Sequence, residues 1–154
     1  MAAECVILIG LPASGKTTFY RERFAETHSH VSKDLLPNNR RSDRRQEELI
    51  AESLAKGRSV VVDNTNATVE VRAPLMALAR THGATVVGYY FATDAADALR
   101  RNRTRQGRER VPDVAIFAIR KRLEPPSLSE GFDRLFSVAL DEGQRSFEVV
   151  PYSR

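Results

Sequence analysis

The chain has 154 residues, 42% hydrophobic and 29% charged, which suits one globular domain around a single core and leaves too little for a second. No apolar run approaches the roughly 20 residues of a membrane-spanning helix, no export signal opens the chain, and Cys5, as the only cysteine, excludes an internal disulfide, so a cytoplasmic protein is expected. The net charge of +4 is modest but unevenly spread, with one arginine cluster at Arg40, Arg41, Arg44 and Arg45 and a second at Arg100, Arg101, Arg103, Arg105, Arg108 and Arg110.

Cys5-Val6-Ile7-Leu8-Ile9 is apolar without alternation, the pattern of a strand buried on both faces. A glycine-rich segment follows, and residues 17–27 read as a helix. A short strand near His30-Val31 leads into a polar stretch, 32–42, that contains Pro37. Ser42 is placed to cap a helix over 43–56, which Gly57 ends. Residues 59–63 form a second buried strand that finishes on the carboxylate of Asp63. Thr68 is placed to cap the next helix, and Pro74 predicts a bent entry, with the main helix over 74–82 and Gly83 at its end. Residues 85–91 form the third long strand. Thr93 is the expected cap of an Arg-rich helix stopped by Gly107, and Pro112 opens a helix to about Leu123 that Pro125-Pro126 ends. Residues 135–140 read as a late strand, and 147–150 as an added edge. Strands alternating with helices point to βαβ units and a parallel sheet in one α/β domain without repeats or linkers.

Gly10-Leu11-Pro12-Ala13-Ser14-Gly15-Lys16-Thr17 matches G-x-x-x-x-G-K-[ST], and it directly follows a buried strand and opens a helix. The glycines let successive N–H groups point into one concavity, and the helix N-terminus adds its dipole. Lys16 would bring a full charge to the β and γ phosphates of ATP, and Thr17 a hydroxyl to Mg²⁺. The whole segment from Gly10 through Pro12, Ala13, Ser14, Gly15, Lys16 and Thr17 to Thr18 is assigned to the nucleotide. Asp63, at a strand end, is either a turn cap or the carboxylate that helps hold Mg²⁺; a phosphate loop favours the second. Asp34, just after the short strand, is either a cap or the base that takes a proton from an acceptor hydroxyl. In a parallel sheet both would gather beside the loop. The arginine clusters read as solvated helix faces or as grips for phosphate-bearing ligands.

Taken in order, the phosphate loop, Asp34, Val62-Asp63-Asn64-Thr65-Asn66, Arg100-Arg101-Asn102-Arg103 through Val111-Pro112, and Glu124-Pro125-Pro126-Ser127-Leu128-Ser129-Glu130-Gly131-Phe132 resemble the kinase domain of polynucleotide 5′-hydroxyl kinases. The resemblance spans roughly residues 6–140. It implies an adenylate-kinase-like P-loop sheet of five parallel strands in the order 2-3-1-4-5, helices on both faces, and an Arg-rich lid over about 94–112. It further implies Asp34 as general base, Asp63 with Asn64 and Thr65 facing metal or acceptor, and Arg105 on the ATP phosphates, with Arg103 and Arg108 as competitors. The implied acceptor is a single-stranded end of RNA or DNA bearing a 5′-hydroxyl. Where family members have Asn-Arg before the base, this chain has Ser32-Lys33. Where some carry an arginine three residues after it, this chain has Pro37, leaving Arg40 or Arg41 to meet an acceptor phosphate. No Asp-x-Asp pair of the haloacid-dehalogenase type is present, so no fused phosphatase is expected. A small-molecule kinase and a non-catalytic nucleotide-binding partner are the alternatives; an acceptor base at Asp34 speaks against the last. His28, His30 and His82 lack metal-ligand spacing and are assigned to surface or capping roles. Cys5 and Tyr89-Tyr90-Phe91 are assigned to the core.

Overall fold

Strand β1 (Glu4–Gly10) is the centre of the sheet, and its apolar run is buried on both faces because helices cover both. The computed structural model describes residues 3–36 and 40–153. Strands β2 (His28–Val31), β3 (Ser59–Asp63), β4 (Thr85–Phe91), β5 (Arg134–Asp141) and β6 (Ser146–Pro151) complete a six-stranded sheet in the order β2-β3-β1-β4-β5-β6. Alternate residues of β1 serve opposite layers. Cys5, Ile7 and Ile9 pack with Ile50 and Leu54 of α2 (Ser42–Ala55) and with Leu75, Met76 and Ala79 of α3 (Val69–Thr81). Val6 and Leu8 pack with Phe19 and Tyr20 of α1 (Lys16–Arg23) and with Phe24. A smaller cluster of Leu11, Ala98 and Ile116 seats α4 (Ala95–Arg103) and α5 (Asp113–Arg122) beside the glycine-rich loop. No helix among the described residues is long and apolar enough to cross a membrane.

The five-stranded, fully parallel sheet requires correction. The first five strands run parallel in the expected order, but β6 adds an antiparallel edge, with Phe136 opposite Pro151 and Asp141 opposite Ser146. A tight turn makes this hairpin: the Asp141 carboxylate accepts from the Gln144 N–H (3.2 Å), and Arg145 takes a left-handed backbone (φ 51). Phe147 and Val149 then lean onto the aromatic layer around Phe19.

Several boundaries also move: α1 ends at Arg23 rather than near Thr27, and Ser42 is the first residue of α2, whose N-cap is Arg41 without a side-chain cap. Helix α3 starts at Val69 with Pro74 inside it, capped by Thr68, whose Oγ1 accepts from Val71 N (3.2 Å). Pro74 there forfeits only the bond to the carbonyl of Glu70, which lies on the exposed first turn. The cap of α4 is Asp94, not Thr93, through Oδ1 accepting from Asp97 N (2.8 Å). Helix α4 ends at Arg103, so Arg105 lies beyond it and does not share a helix face with Arg101.

Candidate active site

The C-terminal ends of β1, β2 and β3 meet at one edge, since Leu8 lies opposite Asp63 and Val31 opposite Val62. Between β1 and α1 the phosphate loop closes tightly. A Cβ on Gly10 would come within 2.9 Å of the Phe91 Cβ and 3.1 Å of Ser14 Oγ, so only glycine fits. Ala13 (φ 63) and Gly15 (φ 97) adopt left-handed backbone, the conformation that turns amides into an anion-binding concavity. Lys16 lies across that concavity. Its ammonium donates to the carbonyls of Gly10 (3.0 Å) and Leu11 (2.6 Å) and to Ser14 Oγ (3.3 Å).

Burial lowers the Lys16 pKa to about 8; Asp63 and Asp34 oppose the fall and the charge of Arg105 adds to it. A cation here is what a triphosphate needs. Nucleotide affinity is therefore expected to hold below pH 8 and weaken by up to about tenfold per unit above it. The folded value lies below the unfolded one of 10.5. Between about 8 and 10.5 the unfolded chain thus carries the extra proton, and this group's contribution to stability rises with pH. Calorimetric titration of ATP·Mg²⁺ from pH 7 to 9.5 checks the affinity; a flat profile would refute the assignment.

Asp63 is 4% exposed, and its Oδ2 accepts two hydrogen bonds, from Thr17 Oγ1 (2.7 Å) and His30 Nε2 (2.8 Å). Burial works against ionisation most strongly. The His30 and Thr17 hydrogen bonds, with the Lys16 charge, outweigh it and hold the carboxyl below its ordinary range. A hydroxyl and a carboxylate side by side form the hard oxygen set that suits Mg²⁺. Among the described residues no three His, Cys, Asp or Glu side chains converge on a metal position. An ion held by Thr17 and Asp63 would take its other ligands from phosphate oxygens and water, as Mg²⁺ commonly does.

Asp34 sits in the 3₁₀ turn Lys33–Leu35 after β2. Its side chain does not cap this turn: Ser32 does, its Oγ accepting from Asp34 N (3.2 Å). Asp34 is exposed, and its charge reaches Lys16. Asn64 braces the segment. Its Oδ1 accepts from Lys33 N (2.9 Å), and its Nδ2 donates to Gln46 Oε1 of α2 (2.5 Å), so both ends of the amide are engaged within the protein. Thr65 contributes its carbonyl to Gly10 N (3.1 Å). Lys33 also pairs with Asp43, tying the turn to the start of α2. Arg40 and Arg41 are exposed there. Arg41, Arg44, Arg45 and Glu48 line a shallow depression of about 300 Å³, in which Glu48 pairs with Arg44 (3.5 Å) and Arg45 (3.0 Å). Pro37 lies outside the described residues.

Two arginines of the second cluster, Arg100 and Arg101, are held by acids. Glu142 in the β5–β6 turn binds Arg101 Nε (2.6 Å) and Arg100 (2.9 Å). Arg101 Nη1 reaches to 3.5 Å from the Ala13 carbonyl, at the mouth of the phosphate loop. A cleft of about 420 Å³ opens there, between Gly15, Thr18, Arg101, Leu140, Glu142 and Phe147. Arg105 donates to the Glu109 carbonyl (3.0 Å), near enough for its charge to act on Lys16. Arg103 is exposed at the end of α4, and the side chain of Arg108 lies outside the described residues.

Sequence reasoning missed Glu142, His30 and Gln46 as parts of this neighbourhood and read Arg101 only as one member of the arginine cluster. Arg101 had one available signal, its place next to Asn102 and three residues after Ala98, both on the buried face of α4. The loop after β3 is clamped as well. Asn66 (φ 44) donates through Nδ2 to the carbonyls of Leu8 (2.7 Å) and Val62 (3.3 Å). Arg72 holds the Asn66 carbonyl (2.8 Å) and pairs with Glu130 through two contacts of 2.8 and 3.0 Å.

A family profile described as an AAA domain matches residues 5–126. The bifunctional polynucleotide phosphatase/kinase of Schizosaccharomyces pombe is 27% identical over 139 residues, which cover 88% of this chain and 33% of that protein. The chain thus spans about a third of the length of this curated relative. Kti12 of Chaetomium thermophilum, solved in complex with ADP-AlF3, superposes with a TM-score of 0.70 at 21% identity, covering 92% of this chain and 93% of that one. A gluconokinase from Sinorhizobium meliloti 1021 does so with a TM-score of 0.63 at 20% identity, covering 90% and 83%. At such identities the superpositions speak for the fold. Because the profile covers most of the chain, from β1 through α5, the chain belongs to the AAA domain family that it describes.

Proposed function

We propose that this chain transfers the γ-phosphate of ATP, with Mg²⁺, to a hydroxyl, and that the acceptor is the 5′-hydroxyl of an RNA or DNA end. One observation carries the proposal. A buried lysine in the phosphate loop, a Thr17–Asp63 oxygen pair and an exposed Asp34 that does not cap its own turn lie at one sheet edge. In this reading the acceptor oxygen bonds to phosphorus as the bond to the β–γ bridging oxygen breaks, and Asp34 takes the hydroxyl proton. Lys16 meets the charge that develops on the leaving oxygen and the γ phosphoryl group. Arg105, with Arg101 as the new competitor, covers the phosphates from a lid over about 94–112 of this one domain. Thr17 and Asp63 would hold Mg²⁺, which would supply positive charge to the phosphates during transfer. The nucleoside would lie in the cleft beside Phe147 and Thr18. The kinase named in the S. pombe relative supports the polynucleotide acceptor, and a cytoplasmic setting belongs to the same proposal.

A small-molecule kinase is the second reading. Arg44, Arg45, Arg100 and Arg101 are already paired with Glu48, Glu52, Asp97 or Glu142, which leaves less positive field for a polyanion. The test is transfer from radiolabelled ATP to 5′-hydroxyl oligonucleotides, nucleosides and metabolite pools, with Lys16→Ala as control. That variant is expected to lose at least about 10²-fold in turnover, or about 2.7 kcal/mol. Oligonucleotide affinity is expected to fall with log salt at about −0.7 per phosphate held, for one to three phosphates, and less steeply in Arg40→Ala/Arg41→Ala. A slope that is flat in both proteins, with nucleosides phosphorylated as well as oligonucleotides, refutes the polynucleotide acceptor in favour of the small-molecule reading.

A further inference from the structure

We infer that His30 is a positioning residue for Asp63, fixing the carboxylate so that the site binds nucleotide in a metal-dependent way; the inference rests on the ATP·Mg²⁺ reading above. Three observations carry it. First, Nε2 of His30 is 2.8 Å from Asp63 Oδ2, the same oxygen that receives the Thr17 hydroxyl proton at 2.7 Å. Thr17 has one proton to give. Sending it to Asp63 leaves the hydroxyl's lone pairs for a cation, and the arrangement survives only while Oδ2 stays put. Rotation of the carboxylate about its Cβ–Cγ bond would break both bonds at once.

Second, the imidazole is held. It stacks on Tyr20 at 4.1 Å and 15°, and the Tyr20 hydroxyl donates to the His28 carbonyl (2.9 Å), so the stacking platform is anchored to the strand that carries His30. Third, strand pairing does not need this side chain. The backbone of β2 is already laddered to β3 in parallel register, His30 opposite Val61 and Val31 opposite Val62, and His30 lies toward the end of the strand that leads into Asp34. A side chain that is locked, partly solvent-facing and aimed at a metal-side carboxylate has the form of an outer-shell partner, which orients a ligand without touching the ion.

The experiment measures ATP affinity by calorimetry with Mg²⁺ and with EDTA for the wild type, His30→Phe and His30→Gln, together with melting temperature and the Mg²⁺ concentration for half-maximal transfer. Phenylalanine keeps the ring on Tyr20 and removes the donor. Glutamine restores a donor. His30→Phe is expected to leave affinity in EDTA unchanged and to raise the half-saturating Mg²⁺ by about 10–100-fold, with affinity for ATP in Mg²⁺ falling alongside. His30→Gln is expected to recover much of that loss. Equal losses with and without Mg²⁺, or a glutamine variant no better than phenylalanine, overturn the inference and make His30 a stabilising contact only. A wild type whose ATP affinity ignores Mg²⁺ overturns the reading on which it rests. A Mg²⁺-dependent wild type with an unaffected His30→Phe overturns this inference alone.

Discussion

Asp34→Asn is expected to lower turnover by about 10²–10⁴-fold while leaving nucleotide affinity at the wild-type value. A positioned general base contributes in that range, on the order of 3–5 kcal/mol of the barrier. The substitution is close to isosteric and leaves the local fold in place, because Ser32 caps the 3₁₀ turn and Asn64 and Asp43 hold Lys33. What it removes is the charge and the proton-accepting oxygen. One side effect has a known sign: Asp34 raises the Lys16 pKa, so losing it lets burial depress that pKa further. The comparison is therefore made below pH 7, where that further fall matters least to the charge of Lys16. Loss of ATP binding with turnover per bound nucleotide preserved would make Asp34 a structural residue and remove it as the base.

Much of the layout was legible because buried parallel strands and glycine turns leave strong local marks. The run from Cys5 to Ile9, the loop to Thr17, and a strand ending on Asp63 follow from apolar continuity and one motif, and the sheet brings them together. What was not legible depends on partners far away in the chain. Pro74 reads as a helix breaker in isolation, yet near the start of α3, with Thr68 capping, it costs one exposed bond. His30 carries no spacing signal because its partner, Asp63, is 33 residues away on the neighbouring strand. Arg101 and Arg105 look equivalent as residues i and i+4 of one helix. The end of α4 at Arg103 separates them, and Glu142, 41 residues beyond Arg101, holds the first beside the loop. The segment Ser127-Leu128-Ser129-Glu130-Gly131-Phe132 carried part of the resemblance, and among its contacts are structural ones: Glu130 completes a capping box with Ser127, and Phe132 fills the space above Gly88.

That same Glu130 pairs with Arg72, a structural residue outside the phosphate loop. Arg72 has no exposed surface, and its guanidinium bonds both Glu130 oxygens and the Asn66 carbonyl. Asn66 in turn holds the ends of β1 and β3 through Leu8 and Val62. Arg72→Met keeps the bulk but strands a buried carboxylate and frees a carbonyl, a change that typically costs about 3–5 kcal/mol. For a chain of this length that corresponds to a fall of roughly 6–20 °C in melting temperature. Because much of the cost is the uncompensated charge, Arg72→Met/Glu130→Gln is expected to regain roughly 1–2 kcal/mol, since glutamine can still accept from Ser127 N and carries no charge. Chemical denaturation of the wild type, Arg72→Met, Glu130→Gln and the double variant measures all four stabilities. If Arg72→Met costs less than about 1 kcal/mol, or the double variant loses the sum of both single changes, the pair is not the clamp that holds Asp63 and the phosphate loop in register.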